Sequence, residues 1–132
     1  MLKHSILFEQ QISSTAVIRS GYLLKVGGKV KTWKKRWFVL TEGSLSYYRD
    51  NEQVTPLHVV DMIICSGVKR DDSKKPDSAA FVFQLITTER TFEIAAETSG
   101  ERSDWVSDLQ KVIEKSQKRR QRVRMFSLCY MY

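Results

Sequence analysis

The stretch "GYLLKVGGKVKTWKKRWFVL", residues 21 to 40, constrains the fold more than any other part of the chain. Two runs rich in aromatic and aliphatic residues flank a Gly-Gly-Lys step, the form of two antiparallel strands joined by a glycine-containing turn. In a strand, side chains two apart share a face. Lys34 and Arg36 therefore lie on the face of Phe38 and Leu40, and Lys25 lies on the face of Leu23. If those apolar residues point into a core, each inward row is apolar at one end and cationic at the end nearest Gly27 and Gly28. The charge then stands at the mouth of the core, not inside it.

The rest of the chain reads as a continuation of that hairpin. "SLSYYR" follows a Glu42-Gly43 turn as a third strand, and "LHVVDMII" follows Pro56 as a fourth. "SGVKRDDSKKPDSAA" is polar and reads as loop, with or without a short strand at its start. "FVFQLIT" and "TFEIAAE", broken at Glu89-Arg90, form a further hairpin. Thr98 with Glu101 three residues on is a capping-box signature. Trp105, Leu109, Val112 and Ile113 then make the apolar stripe of a helix suited to covering a sheet. The pattern predicts a mainly β fold with one C-terminal α-helix.

With 132 residues and 42% hydrophobic content the chain can bury one ordinary core. Its net charge of +7 calls for an anionic partner: nucleic acid, an anionic membrane surface or a phosphorylated ligand. The charge is unevenly placed. Residues 21–49 hold seven bases against Glu42 alone, residues 50–115 hold eight bases against thirteen acids, and residues 116–132 hold five bases and no acid. Cys65 and Cys129 lie far apart with no metal-ligand spacing, and a disulfide is not expected. No apolar run approaches the roughly 20 residues of a spanning helix, so a cytoplasmic chain is expected. No nucleophile-base pair or metal spacing points to catalysis, and no cofactor is implied.

Lys25, Lys34, Arg36 and Tyr47 converge on this scheme, with Lys29 and Lys31 on the loop above them and Arg49 following Tyr47 on its face. A guanidinium offers a planar fork for phosphate, lysines supply point charges, and a glycine turn presents backbone amides without obstruction. That is the chemistry of a multiply phosphorylated ligand site. The same lysines could instead be edge-strand charges that oppose aggregation.

Opening strand, basic turn, "RWFVL" and the tryptophan of "ERSDWVSDLQKVI" occur in the order in which they stand in the pleckstrin-homology domain family, which residues 19–116 resemble. The resemblance implies a seven-stranded antiparallel bent sandwich or partly open barrel, capped by the helix, with a ligand site at the opposite open end. It implies a binding module and not an enzyme. Members that bind 3-phosphorylated inositol lipids carry a base closing the first strand, a base, one spacer and an arginine in the second, and a tyrosine in the third. Lys25, Lys34, Arg36 and Tyr47 match those positions. Gly28 is small enough to leave room for a 5-phosphate, so phosphatidylinositol 3,4,5-trisphosphate and 3,4-bisphosphate both fit. Where related lipid binders often place an arginine in the fourth strand, this sequence has His58.

The resemblance thus implies a signalling-adaptor module, monomeric, cytoplasmic and recruited peripherally to the plasma membrane or an endosomal membrane. Relatives of the same fold that recognise peptides or phosphopeptides supply the alternative, a protein-interaction domain without specific lipid binding. No specific nucleic-acid partner is expected, since no nucleic-acid motif is present. Residues 1–18 read as a loosely ordered arm. Residues 117–132 read as a basic tail, able to lie against an anionic leaflet.

Overall fold

In a computed structural model of the chain, residues 15–27, 32–73 and 81–130 are described. Seven strands run in the order expected from the sequence pattern: β1 (Arg19–Gly27), β2 (Thr32–Leu40), β3 (Ser44–Tyr48), β4 (His58–Asp61), β5 (Cys65–Asp71), β6 (Phe81–Thr87) and β7 (Thr91–Ala96). A single helix, α1 (Ser99–Tyr130), follows. The strands form one antiparallel sheet with the order β4-β3-β2-β1-β7-β6-β5, curled into a half-barrel. Strand β1 is the hinge of this curl. It pairs along its whole length with β2, from Arg19 opposite Leu40 to Gly27 opposite Thr32. It then pairs with β7 through Leu24 and Lys25, opposite Ala95 and Ile94.

The inner face of the first hairpin follows the two-residue period, although Val39 on the opposite face is buried as well. Leu23, Phe38 and Leu40 are buried, as are Leu45 and Tyr47 on β3 and Phe92 and Ile94 on β7, and all belong to one core cluster. On the other face Tyr22 meets Trp37 edge-on with ring centroids 4.9 Å apart, and Lys35 Nζ stands 4.8 Å from the Tyr22 centroid. Lys35 is thus turned away from the inward row that holds Lys34 and Arg36.

The fourth predicted strand is shorter than the sequence suggests. "HVVD" is strand, but Met62–Ile64 form a 3-10 turn, because the Asp61 carboxylate accepts a hydrogen bond from the Ile63 amide at 3.0 Å. Such a side-chain cap offers the backbone an alternative to the ladder. The stretch read as polar loop begins with a full strand, β5, paired with β6 from Cys65 opposite Thr87 to Asp71 opposite Val82. Lys69 and Arg70, adjacent on this edge strand and both exposed, mask its alternation. Cys65 at its start is a free buried thiol, and desolvation, helped by the charge of Asp61, pushes it up to about 11.

Helix α1 starts where the capping signature places it: the Glu101 amide donates to Thr98 Oγ1 at 3.1 Å. Trp105, Leu109, Val112 and Ile113 are all buried against the sheet. Near its start Arg102, also buried, reaches the Asp72 carboxylate at 2.8 Å and the Val82 carbonyl at 3.2 Å, tying the helix to the ends of β5 and β6. The helix does not stop with its apolar stripe. It continues past residue 116, where the family resemblance ends, to Tyr130.

Glu42, in the β2–β3 turn, clamps this continuation with Lys115 Nζ at 3.3 Å and Arg119 Nη2 at 3.0 Å. Hydrogen bonds from Lys115 and Arg119 hold the Glu42 carboxyl below its ordinary value. A carboxyl with a depressed pKa contributes above its unfolded value, and the contribution is lost as pH falls through the folded one. Glu42→Gln should therefore speed amide exchange over residues 115–124 by roughly 2- to 5-fold, the worth of exposed ion pairs, without moving the global melting point. The same loosening should develop in the unsubstituted chain on acidification below the usual carboxylate range. Unchanged exchange in Glu42→Gln would show that the clamp contributes nothing.

Candidate functional site: a cationic mouth at the open end of the sheet

The site is assembled by the β1–β2 register and by the short third strand. Lys25 stands directly opposite Lys34, and Arg36 stands opposite Leu23 one inward position further from the turn. On the next pair of strands Phe38 faces Tyr47, and Tyr47 faces His58. These pairings put five side chains named from the sequence (Lys25, Lys34, Arg36, Tyr47 and His58) on one inner row. The closest of the contacts is a cation over an aromatic ring, with Lys25 Nζ 4.7 Å from the Tyr47 centroid.

Two lysines directly opposite one another destabilise a ladder, because like charges in a cross-strand pair repel. Here the repulsion falls at the open end, where an anion can relieve it. Beside them Arg36 is half-buried, and its Nη1 donates to the Lys35 carbonyl at 3.1 Å. That bond holds one edge of the guanidinium and leaves other N–H groups of the fork to meet an incoming oxygen.

The row does not end at Tyr47. The His58 ring lies 5.8 Å from Tyr47 and 5.9 Å from Phe92, and the Arg90 guanidinium lies 4.0 Å over Phe92. A cation, three aromatic rings and a second cation thus form one line across the mouth, from β1 to the β6–β7 turn. Arg90 was not foreseen from the sequence, where it reads only as part of a turn. The available signal was a base two residues before an inward aromatic. Its use required knowing that β7 pairs with β1 and that Phe92 meets β4.

His58 is exposed, although in tilted contact with two rings. Arg49 lies just beyond the end of β3 and is exposed. β3 pairs with β2 as far as Tyr48 opposite Trp37, so Arg49 lies one residue past the paired ladder. Gly28, Lys29 and Lys31 lie outside the described residues. Among the described residues no group of three or more His, Cys, Asp and Glu side chains is placed to hold a metal. Nor is any helix among them long and apolar enough to cross a membrane. What the mouth offers chemically is fixed positive charge, a planar donor fork and ring faces, which suits recognition of a compact polyanion.

Comparison with known proteins identifies the fold that carries this mouth. The family described as "PH domain" matches residues 17–114. A RAC family serine/threonine-protein kinase homolog from Dictyostelium discoideum is 40% identical over 97 residues, 73% of this chain and 21% of that protein. A dual adapter for phosphotyrosine and 3-phosphotyrosine and 3-phosphoinositide from Mus musculus is 37% identical over 100 residues, 76% of this chain and 35% of that protein. The chain therefore spans about a fifth to a third of these relatives. Among solved structures, the C-terminal PH domain of pleckstrin in complex with D-myo-Ins(1,2,3,5,6)P5 aligns with a TM-score of 0.64 at 29% identity, covering 76% of this chain and 98% of that one.

Proposed function

The chain belongs to the PH domain family, and from that premise we propose that it is a membrane-recruitment module that binds phosphoinositide headgroups at its cationic mouth. The ligands are 3-phosphorylated inositol lipids, phosphatidylinositol 3,4,5-trisphosphate, the 3,4-bisphosphate or both. The family and its structural neighbours are non-catalytic modules, and the role proposed here is recruitment without chemistry. The single observation that carries this reading is the inward row in which Lys25 and Lys34 oppose each other beside Arg36, with the Lys25 ammonium over Tyr47. Support comes from the pleckstrin domain, which holds an inositol pentakisphosphate, and from the adapter whose name includes a 3-phosphoinositide.

Affinity arises from charge-assisted hydrogen bonds, each contributing about 1.5 to 3 kcal/mol, so two or three phosphates give useful binding. Recruitment is peripheral, to the plasma membrane or an endosomal membrane. The test is a panel of vesicles of equal surface charge at physiological salt, carrying phosphatidylserine alone or with each phosphoinositide. Vesicles with 3-phosphorylated lipid should bind at least about 10-fold more tightly than charge-matched phosphatidylserine, a difference of about 1.4 kcal/mol. Equal binding across the panel would leave a basic surface without a pocket.

A further inference from the structure

Helix α1 outruns the domain it caps. The family match ends at residue 114, and the helix continues to Tyr130. Residues 115–124 carry Lys115, Lys118, Arg119, Arg120, Arg122 and Arg124 and no acid. The direction of the extension follows from its contacts. Trp105 packs 3.9 Å from where a Cβ on Gly21 would stand, Asp108 binds Arg19 at 2.6 Å, and Lys115 and Arg119 reach Glu42. Gly21 faces Phe38 and Arg19 faces Leu40 on β2, with Glu42 beyond the end of that strand. The helix therefore advances along β2 away from the mouth. At about 3.3 Å per strand residue, Glu42 lies about 25 Å from Lys34. A bilayer held at the mouth cannot reach the extension electrostatically, since the Debye length near physiological salt is about 8 Å.

Two features say what kind of surface meets it. First, the apolar stripe that faces the core resumes beyond the domain. Val123 stands 18 residues after Trp105, about five turns at 3.6 residues per turn, so it lies on the same line of the helix, with Phe126 one turn further on. There Val123 and Phe126 are 66% and 68% exposed. Met125, on the other side of the helix, is 67% exposed. Secondly, the bases are spread around the helix: at about 100° per residue, Arg120 and Arg124 fall on one side and Lys118 and Arg122 on the other.

A flat anionic leaflet would engage one side only, and in-plane binding needs a single apolar face. A nucleic-acid groove would use the charge all round but gains nothing from exposed Val, Met and Phe. Arginine, methionine and aromatic side chains together are the composition of protein interfaces. We propose that residues 115–127 are a docking helix for an acidic protein that encloses the helix in a groove with an apolar floor, on the side of the domain away from the membrane.

Calcium-loaded calmodulin is the probe, an acidic protein that closes methionine-lined grooves round basic amphipathic helices. Titrated into the full chain, it should form a one-to-one complex that EGTA dissolves. Saturating the mouth with inositol 1,3,4,5-tetrakisphosphate should not displace it, because the two sites lie at opposite ends. Arg120→Gln/Arg122→Gln/Arg124→Gln keeps good helix formers and should weaken the complex about 30-fold, and Val123→Ser/Phe126→Ser about 10-fold, with helicity followed by circular dichroism. The proposal is overturned if no complex forms, if the headgroup competes for it, or if the arginine variant weakens it while the apolar variant does not. It is equally overturned if a DNA duplex or phosphatidylserine vesicles bind the extension more tightly than calmodulin does. Headgroup titration is a separate measurement, so failure here leaves the reading of the mouth untouched.

Discussion

Trp105→Ala is expected to destabilise the domain by about 3 to 5 kcal/mol, the cost of emptying a tryptophan-sized volume in a core that cannot fully collapse. Against a typical total of about 5 to 15 kcal/mol this is a large fraction, and it should lower the melting temperature by on the order of 10 °C or more. The reason lies in what the ring touches. Trp105 is 4% exposed and belongs to the main core cluster. It packs against Gly21, and the Arg19 guanidinium lies 6.0 Å over its ring while binding Asp108. Removing the ring therefore loosens the first strand and the helix together. Trp105→Phe, which keeps an aromatic body, should recover most of the loss. Thermal unfolding of the two variants checks this, and a melting point for Trp105→Ala within a degree or two of the unsubstituted protein would show that the helix caps the sheet without holding it.

The parts of this architecture that could be read from the sequence are those where one local rule acts alone. The first hairpin was legible because two aromatic and aliphatic runs flank a glycine pair, and Leu23, Phe38 and Leu40, which share one face, are buried. The same rule set Lys25, Lys34, Arg36 and Tyr47 on one face. Where two local preferences compete, the reading was incomplete. Asp61 ends β4 by bonding Ile63, although "DMII" has strand composition. Strand β5 is defined by its pairing with β6, a non-local fact that its own polar residues conceal.

The length of α1 was hidden for a different reason. Its apolar stripe lapses after Ile113, yet no glycine or proline follows to stop it, and Lys, Arg and Gln are good helix formers. Glu42, in a turn more than 70 residues earlier in sequence, anchors it. Arg90 was illegible for the same non-local reason: only the curl of the sheet brings the β6–β7 turn to the ring row that starts at Lys25. Substitution of Arg36 separates a shaped pocket from a diffuse positive surface.

Arg36→Ala should reduce affinity for soluble inositol 1,3,4,5-tetrakisphosphate by about 3 kcal/mol or more, on the order of 100-fold, which corresponds to one or two charge-assisted hydrogen bonds. Arg36→Lys keeps the net charge and the strand pattern, but replaces a rigid fork with a flexible point charge. It should still lose about 1 to 3 kcal/mol toward the headgroup, because the arginine stands where the mouth narrows. In register, Leu23 lies across from it, and Phe38 is the next residue on its face. The lysine variant should bind plain phosphatidylserine vesicles almost unchanged, since a diffuse surface reads charge and not geometry. Among the described residues Arg36 donates to the Lys35 carbonyl and to no core group, so neither substitution should cost much stability, and thermal melting verifies that the fold survives. A folded Arg36→Lys protein with undiminished headgroup affinity would rule out bidentate recognition. In that case the opposed Lys25 and Lys34 would act only as a basic rim, and the fold's other use, recognition of peptides, would become the better account of this domain.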